Sequence, residues 1–384
     1  MKRINSIDIT RGLVMVIMAL DHVREYFHIT SGSDPLNLAN TTAALFFTRW
    51  ITHLCAPSFV FLAGVSAYVS MKKRNNPAFT RKFLLTRGIW LVFLEFTLIN
   101  FALWFDIRFR LLILEVIGAI GISFIVLSFL ISLGSRITGI IGIILIFSHD
   151  LLTGLSLEGS SSFLFNILFR PGMTQLTTGT AFFAAYPVIP WLGIMLTGFA
   201  CGEFFTSSQE RRKKIFLQSG LFCIFLFIAI RFANYYGDPS PWIKQEKPFF
   251  TFLSFINVSK YPPSLLFTLL FTGLTFIILF ISETVENRIS GFLSVYGKVP
   301  FFYFVVHLYL IHALMFAMLF FQGYGTKDLV FGPFMNGRPR EGGGLGLAGT
   351  YLVWIGVVAV MYPLSLWYGR MKEKNRGLMI LRYI

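Results

Sequence analysis

Apolar runs of about 20 residues recur along the chain, separated by short polar segments. A helix needs about 20 mostly apolar residues to cross the hydrocarbon core of a bilayer. This criterion predicts ten membrane-spanning helices, at 9–27, 52–71, 84–104, 111–131, 137–152, 181–204, 214–231, 263–281, 299–321 and 347–368. We therefore predict an all-α polytopic membrane protein and treat residues 1–384 as a single transmembrane domain.

The composition supports a membrane protein and excludes several other classes. Of the 384 residues, 55% are hydrophobic and only 13% are charged, whereas about 25% are charged in ordinary soluble domains. A cytosolic enzyme, a disordered chain and a disulfide scaffold are excluded. The three cysteines lie inside apolar runs, and their spacing fits neither a disulfide framework nor a metal site.

The basic residues occur in short clusters between the apolar runs. The net charge is +15, but the clusters are placed like topology signals, so we expect no nucleic-acid partner. Most of them face the cytoplasm if both termini are cytoplasmic, which predicts an N-in, C-in orientation. The N-terminal stretch has no small-residue cleavage site, which favours a retained first span over a removed signal peptide.

The first span is the richest in ionisable residues, which are costly inside a membrane and mark functional sites. Arg11 and His22 are eleven residues apart, so both lie on one helix face, about 16 Å apart along the axis. His22 is a candidate catalytic base, and its neighbour Asp21 a candidate for fixing its tautomer. For Arg11 and Asp21 two readings stay open: catalytic residues, or residues that only anchor the helix at the membrane interfaces.

Other polar residues inside the spans are candidates for substrate binding. His53 opens the second span and Arg49 lies four residues earlier on the same face, and His307 and His312 lie in the ninth span. The latter two are about 140° apart around the helix and cannot chelate one ion together, so no metal site is expected. Glu95 in the third span is either a structural partner between helices or a catalytic base.

Several segments resemble one family over nearly the whole chain. The run SIDITRGLVMVIMALDH contains an Arg, ten intervening residues and a His, and it resembles the first span of membrane acyltransferases. The wider resemblance is to bacterial relatives of the heparan-alpha-glucosaminide N-acetyltransferase catalytic domain. It includes the segments RWITHLCAPSFVFLAGVSAY, PVIPWLGIMLTGFACGEF, KYPPSLLFTLLFTG and YGKVPFFYFVVHLYLIH.

The resemblance implies a fold of roughly ten spans in a bacterial cytoplasmic (inner) membrane. Such proteins transfer an acetyl or other acyl group from cytoplasmic acyl-CoA to a glycan amine or hydroxyl on the far side. His22 corresponds to the catalytic histidine and Arg11 to its inner companion, with His28 and His53 as alternative bases. Because CoA is polyanionic, basic loop residues are candidates for its entry site: Lys72, Lys73, Arg74, Arg81, Lys82, Arg87 and 211–214.

Two other classes of function compete with an acyltransferase. A transporter or a flippase for lipid-linked glycans would use the same polar residues without covalent chemistry, but the sequence shows no internal repeat typical of transporters. A structural subunit would account for the fold and leave His22 unexplained. The sequence leaves the acceptor, the acyl length and the oligomeric state open.

Overall fold

The computed structural model describes residues 4–30, 33–153, 160–375 and 377. Lys2 and Arg3, which contribute to the predicted charge asymmetry, lie outside these residues. The helices in the first half of the chain are α1 (Asn5–Phe27), α2 (Ala43–Thr52), α3 (Cys55–Arg74), α4 (Pro77–Leu94), α5 (Asn100–Trp104), α6 (Val116–Leu130), α7 (Gly134–Ser148), α8 (Asp150–Thr153) and α9 (Ser160–Leu168).

The second half adds seven helices, and five short strands complete the fold. The helices are α10 (Val188–Cys201), α11 (Gln209–Ala233), α12 (Pro248–Ile256), α13 (Leu265–Thr284), α14 (Arg288–Gly297), α15 (Pro300–Phe321) and α16 (Leu347–Lys374). The strands are β1 (Leu111–Leu114), β2 (Gly172–Gln175), β3 (Ala181–Ala184), β4 (Phe331–Gly332) and β5 (Met335–Asn336).

The prediction of an all-α polytopic membrane protein is confirmed. Within the described part of the chain, eight helical segments are long and apolar enough to cross a membrane. They are Ala43–Arg74, Pro77–Trp104, Val116–Leu152, Val188–Thr206, Gln209–Ala233, Leu265–Thr284, Pro300–Phe321 and Leu347–Lys374.

The expected count of ten spans and the N-in, C-in orientation stay predictions. Helix α1 has 23 residues but is not among the eight segments, and five of its side chains are charged. The segment Val116–Leu152 has 37 residues, which at 1.5 Å per residue is far longer than a bilayer core of about 30 Å. Gly134, with φ of +81°, separates α6 from α7 inside it, where the sequence predicts two spans.

Two of the predicted helices start later than the sequence predicts, because the first residues of each predicted span form a strand. Residues at the start of 111–131 and 181–204 form strands β1 and β3, which pair in parallel, and β2 pairs antiparallel with β3. The helices start only at Val116 and Val188. A short apolar run fits a strand as well as a helix, and periodicity cannot distinguish the two.

Helix α1 lies at the centre of the bundle, packed against α3, α13, α14, α15 and α16. Its closest approach is to α14, where glycines bring the two backbones into contact. A Cβ atom at Gly12 would lie 1.8 Å from the carbonyl oxygen of Leu293, and one at Gly297 would lie 1.8 Å from that of Asp8. Small residues commonly allow such close packing between membrane helices. The helix that carries Arg11 and His22 is therefore fixed in the protein interior.

Candidate functional site

Arg11 lies near the N-terminal end of α1 and points toward α3. Its Nη2 donates a hydrogen bond to the carbonyl oxygen of Leu62 at 2.9 Å and another to Oγ of Ser66. A side chain that only snorkelled would reach for the lipid headgroups. Arg11 is instead held between two helices, where it lines two adjoining cavities.

The larger cavity has a volume of about 950 Å³ and opens at the end of the bundle where α1 begins. Six basic residues and two acidic residues line it, so the surroundings are strongly cationic. They are Arg11, Lys73, Arg74, Lys298, Arg370 and Lys372 against Asp8 and Glu373. We call this end of the molecule the basic end. By the positive-inside rule, this abundance of cations agrees with the N-in orientation predicted from the sequence, which stays a prediction.

The smaller cavity, of about 360 Å³, adjoins the larger one and shares Arg11 with it. Its walls are mostly apolar, formed by Met15, Phe59, Leu91, Ile117 and Phe304 among others. Phe304 also contacts His22, with the two rings edge to face and their centroids 6.3 Å apart. The apolar cavity therefore extends from Arg11 to within one aromatic ring of His22.

His22 is paired with a second histidine. Its Nδ1 lies 2.7 Å from Nε2 of His307 on α15, and the planes of the two rings are nearly parallel, at 19°, with centroids 4.9 Å apart. The Nδ1 of His307 lies 2.9 Å from the carbonyl oxygen of Tyr303 one turn earlier on the same helix. His307 is completely buried. The structure thus places His307, a candidate for substrate binding, in direct contact with the candidate base.

The side chain of Asp21 points away from that of His22 and forms ion pairs with two arginines. Its carboxylate pairs with Arg24 at 3.1 Å and with Arg49 of α2. In the part of the chain that the structure describes, no hydrogen bond joins the Asp21 and His22 side chains. The reason is geometric, because adjacent residues point about 100° apart around a helix. The nitrogen that Asp21 was expected to orient is bonded to His307 instead.

His53 lies at the break between α2 and α3, within electrostatic reach of Arg49 and Asp21. Its ring is buried and packs edge-on against Phe267 and Phe271, with centroids 5.6 and 5.7 Å away. Its Nδ1 is buried and has no hydrogen-bond partner among the residues that the structure describes. Arg49 and His53 thus belong to one polar cluster with Asp21 and Arg24, which we call the outer cluster.

The alternative base His28 follows the last turn of α1. Its Nδ1 bonds the hydroxyl of Thr30 at 2.7 Å. Burial lowers the pKa of His28, and the positive charges of Arg24 and Arg338 lower it further. The imidazole is therefore neutral at physiological pH. No ring contact or hydrogen bond joins it to His307 within the described residues, so the paired histidine of α1 is His22.

His312 lies five residues after His307 on α15 and points to a different side of that helix. Its two ring nitrogens contact the carbonyl oxygens of Ala102 at 3.1 Å and Asn336 at 2.7 Å, and its ring packs on Phe105. These contacts link α15 to α5 and β5. The structure therefore separates His307, which contacts His22, from His312, which holds neighbouring elements together.

Of the two alternatives for Glu95, the contacts favour a structural partner between helices over a catalytic base. It begins a π-helical turn, Glu95–Ile99, and its carboxylate accepts hydrogen bonds from the backbone N–H groups of Glu115 at 2.6 Å and Gly118 at 3.0 Å. It thus caps the N-terminus of α6 from a neighbouring helix. Among residues 4–30, 33–153 and 160–375, no group of three His, Cys, Asp or Glu side chains is placed to hold a metal ion.

The structure adds residues that the sequence reasoning did not single out. Lys260 is buried beside the rings of Tyr261 and Tyr186, at 4.9 and 5.7 Å. Arg338 donates to the carbonyl oxygens of His28 at 2.9 Å and Gly343 at 2.8 Å, and so connects the loop between α15 and α16 to the end of α1. Lys260 is in the conspicuous run KYPPS, whereas nothing around Arg338 in the sequence signals its role.

Comparison with known proteins assigns the chain to a family. The family model for the heparan-alpha-glucosaminide N-acetyltransferase catalytic domain matches residues 3–231. No curated protein matches the chain. The matched region contains Arg11, His22, Arg49 and His53, whereas the helix that carries His307 follows it. Since the match covers more than half of the chain, this integral membrane protein belongs to the heparan-alpha-glucosaminide N-acetyltransferase catalytic family, a family of membrane acyltransferases.

Proposed function

We propose that this protein transfers an acetyl or other short acyl group from cytoplasmic acyl-CoA to an amine or hydroxyl of a glycan outside the cytoplasm. The observation that carries the proposal is the path along α1. A wide cationic cavity adjoins a narrower apolar one, which ends one aromatic ring from His22.

The two cavities fit the two parts of an acyl-CoA. Its nucleotide carries several phosphate charges, which arginine and lysine bind through charge-assisted hydrogen bonds. Arg74, Lys298 and Lys372 line both cavities and are proposed to hold these phosphates. The less polar arm that ends in the thioester then extends along the apolar walls toward Phe304. The donor site needs no metal in this proposal.

His22 acts in the proposal as the general base. The acceptor nitrogen or oxygen attacks the thioester carbonyl carbon and gives its proton to the neutral imidazole. The carbon–sulfur bond then breaks, and the CoA thiolate leaves and takes a proton back from His22. A histidine suits this exchange because its ordinary pKa is near the working pH.

The outer cluster is the proposed site for the acceptor. It combines a carboxylate, Asp21, with the cations Arg24 and Arg49 and with His53, a set of donors and acceptors suited to a sugar. Asp21 and Arg49 orient the acceptor here and do not exchange protons with it. His312 makes contacts outside this cluster and has no role in the proposal. The enzyme acts in a bacterial inner membrane, among lipids that surround the helices.

The decisive experiment uses radiolabelled acetyl-CoA and the purified protein in lipid nanodiscs with a mixture of glycan acceptors. We expect label in a glycan with the wild-type protein, none above background with His22→Ala, and transfer retained with His28→Ala. No transfer to any amine or hydroxyl acceptor by a folded wild-type protein would contradict the proposal.

A transporter is the second candidate, because polar residues lie at both ends of α1. It predicts uptake of a solute or lipid-linked glycan into proteoliposomes without transfer of label. Measuring uptake and label transfer in the same vesicles separates the two functions. Uptake that survives His22→Ala together with an absence of acyl transfer would favour the transporter.

A further inference from the structure

We infer that His307 is a positioning residue, which locks His22 in one tautomer and leaves Nε2 of His22 as the nitrogen that accepts the acceptor's proton. The inference rests on the proposed function for its role in catalysis. It rests on the contacts between the two histidines for the tautomer itself.

The first step concerns the proton on His307. Its Nδ1 lies 2.9 Å from the carbonyl oxygen of Tyr303. A carbonyl oxygen only accepts hydrogen bonds, so this Nδ1 carries a proton. The ring is completely buried, where an unpaired charge is costly. His307 is therefore neutral, and a neutral imidazole has one N–H, so its Nε2 is an acceptor.

The second step deduces the tautomer of His22 from the protonation of His307. A distance of 2.7 Å between Nε2 of His307 and Nδ1 of His22 is a hydrogen bond, which needs one proton between the two nitrogens. His307 has none to offer there, so Nδ1 of His22 is the donor. The Nε2 of a neutral His22 is then bare and basic. No hydrogen bond to this Nε2 occurs within the described residues, and the ring is only partly buried.

The third step explains why a histidine serves here in place of a carboxylate. In serine hydrolases an Asp fixes the tautomer of the catalytic His and stabilises its charged form. Here Asp21 is occupied by Arg24 and Arg49. When Nε2 of His22 receives the acceptor's proton, its Nδ1–H bond to His307 becomes charge-assisted and stronger. The proton then passes from Nε2 to the departing thiolate, and both histidines return to their starting states.

The tautomers can be measured without any enzymatic activity. The full chain would be labelled with ¹⁵N-histidine, placed in nanodiscs and studied by NMR, which distinguishes protonated from bare ring nitrogens. Single substitutions assign the signals of the six histidines. We expect His22 to carry its proton on Nδ1 and His307 to carry its proton on Nδ1. A proton on Nε2 of His22 at neutral pH would overturn the inference, whatever the acyl transfer assay shows.

The kinetic test compares two substitutions of the same residue. His307→Leu removes the acceptor, so His22 is no longer held in its tautomer. His307→Gln offers an amide oxygen in its place. We expect kcat to fall at least tenfold in His307→Leu, with about 10⁴ as the upper limit set by a wrong tautomer in a serine protease. We expect KM for acyl-CoA to stay unchanged and His307→Gln to recover part of kcat.

The matched control is Tyr309→Phe, which removes a different side-chain hydrogen bond of α15, that to the carbonyl oxygen of Leu98. It should leave kcat and the His22 signals unchanged. Wild-type kcat in a folded His307→Leu variant would overturn the positioning role. If His307→Leu does not fold, the ¹⁵N signals of His22 in His307→Gln decide the matter, since they must stay in the Nδ1–H form.

Discussion

The two ends of α1 are both rich in charge, yet they are built in opposite ways. Around the large cavity at the basic end, cations outnumber carboxylates by six to two, and the space between them is open. At the other end Asp21 is buried and bonded to two arginines. The first arrangement has an excess of cations over carboxylates, which suits a large anionic ligand. In the second, one carboxylate is paired with two arginines, so less positive charge remains and the cluster suits a neutral or weakly charged acceptor group.

The largest effect is expected at His22, which lies between the apolar cavity and the outer cluster. His22→Ala should lower kcat by about 10²–10⁴, the usual contribution of a general base, because the acceptor's proton then has no destination. Binding of acyl-CoA at the basic end should persist, as measured by calorimetry on the purified variant. Turnover near that of the wild type would instead point to His53.

The next effect tests the ion pairs of the outer cluster. Asp21→Asn leaves Arg49 and Arg24 without their carboxylate, and breaking a buried ion pair typically costs about 3–5 kcal/mol. We expect a clearly lower thermal unfolding midpoint in detergent. The matched control is Lys213→Ala, which breaks the pair between Lys213 and the exposed Glu210, worth at most about 1 kcal/mol. Equal midpoints for both variants would show that the outer cluster is not held by its charges.

A smaller effect concerns Arg11, at the boundary between the two cavities. Its guanidinium bonds the backbone of Leu62 and the hydroxyl of Ser66, a forked contact that a lysine reproduces poorly. Arg11→Lys should keep expression and membrane insertion and lose roughly tenfold in kcat/KM, a difference of about 1.4 kcal/mol. Full activity would reduce Arg11 to a topology signal.

The smallest effect is expected from single cations of the basic end. Lys298→Ala removes one of six positive charges around the cavity, and one partly solvated charge contributes about 0.2–1 kcal/mol. KM for acyl-CoA should rise by a small factor that shrinks at high salt, with kcat unchanged. Arg136→Ala, on α7 and outside both cavities, is the control. Equal KM changes in the two variants would contradict a specific phosphate site.

The sequence predicts the helices well, because a bilayer demands long apolar runs and penalises each charge within them. It also predicts that Arg11 and His22 share a face, since this follows from helical geometry alone. The start of β1 at Leu111 is not predictable in the same way, because four apolar residues have no distinctive period.

The pairing of His22 with His307 is beyond the reach of a single sequence. The two residues are 285 positions apart, and their contact depends on how α15 packs beside α1. The same holds for Arg49 and Asp21, whose pairing withdraws Asp21 from His22. Sequence spacing identifies the residues that a membrane makes costly, whereas only tertiary packing decides which of them face each other.

The glycine contacts between α1 and α14 have a consequence for genetics. Any side chain at position 12 or 297 collides with a carbonyl oxygen of the opposite helix, so every substitution there should disturb assembly of the bundle. A loss-of-function screen would therefore report Gly12 and Gly297 beside His22, although neither glycine has a side chain to offer to chemistry. The amount of protein in the membrane sorts such alleles: it should fall for the glycine variants and stay normal for His22→Ala.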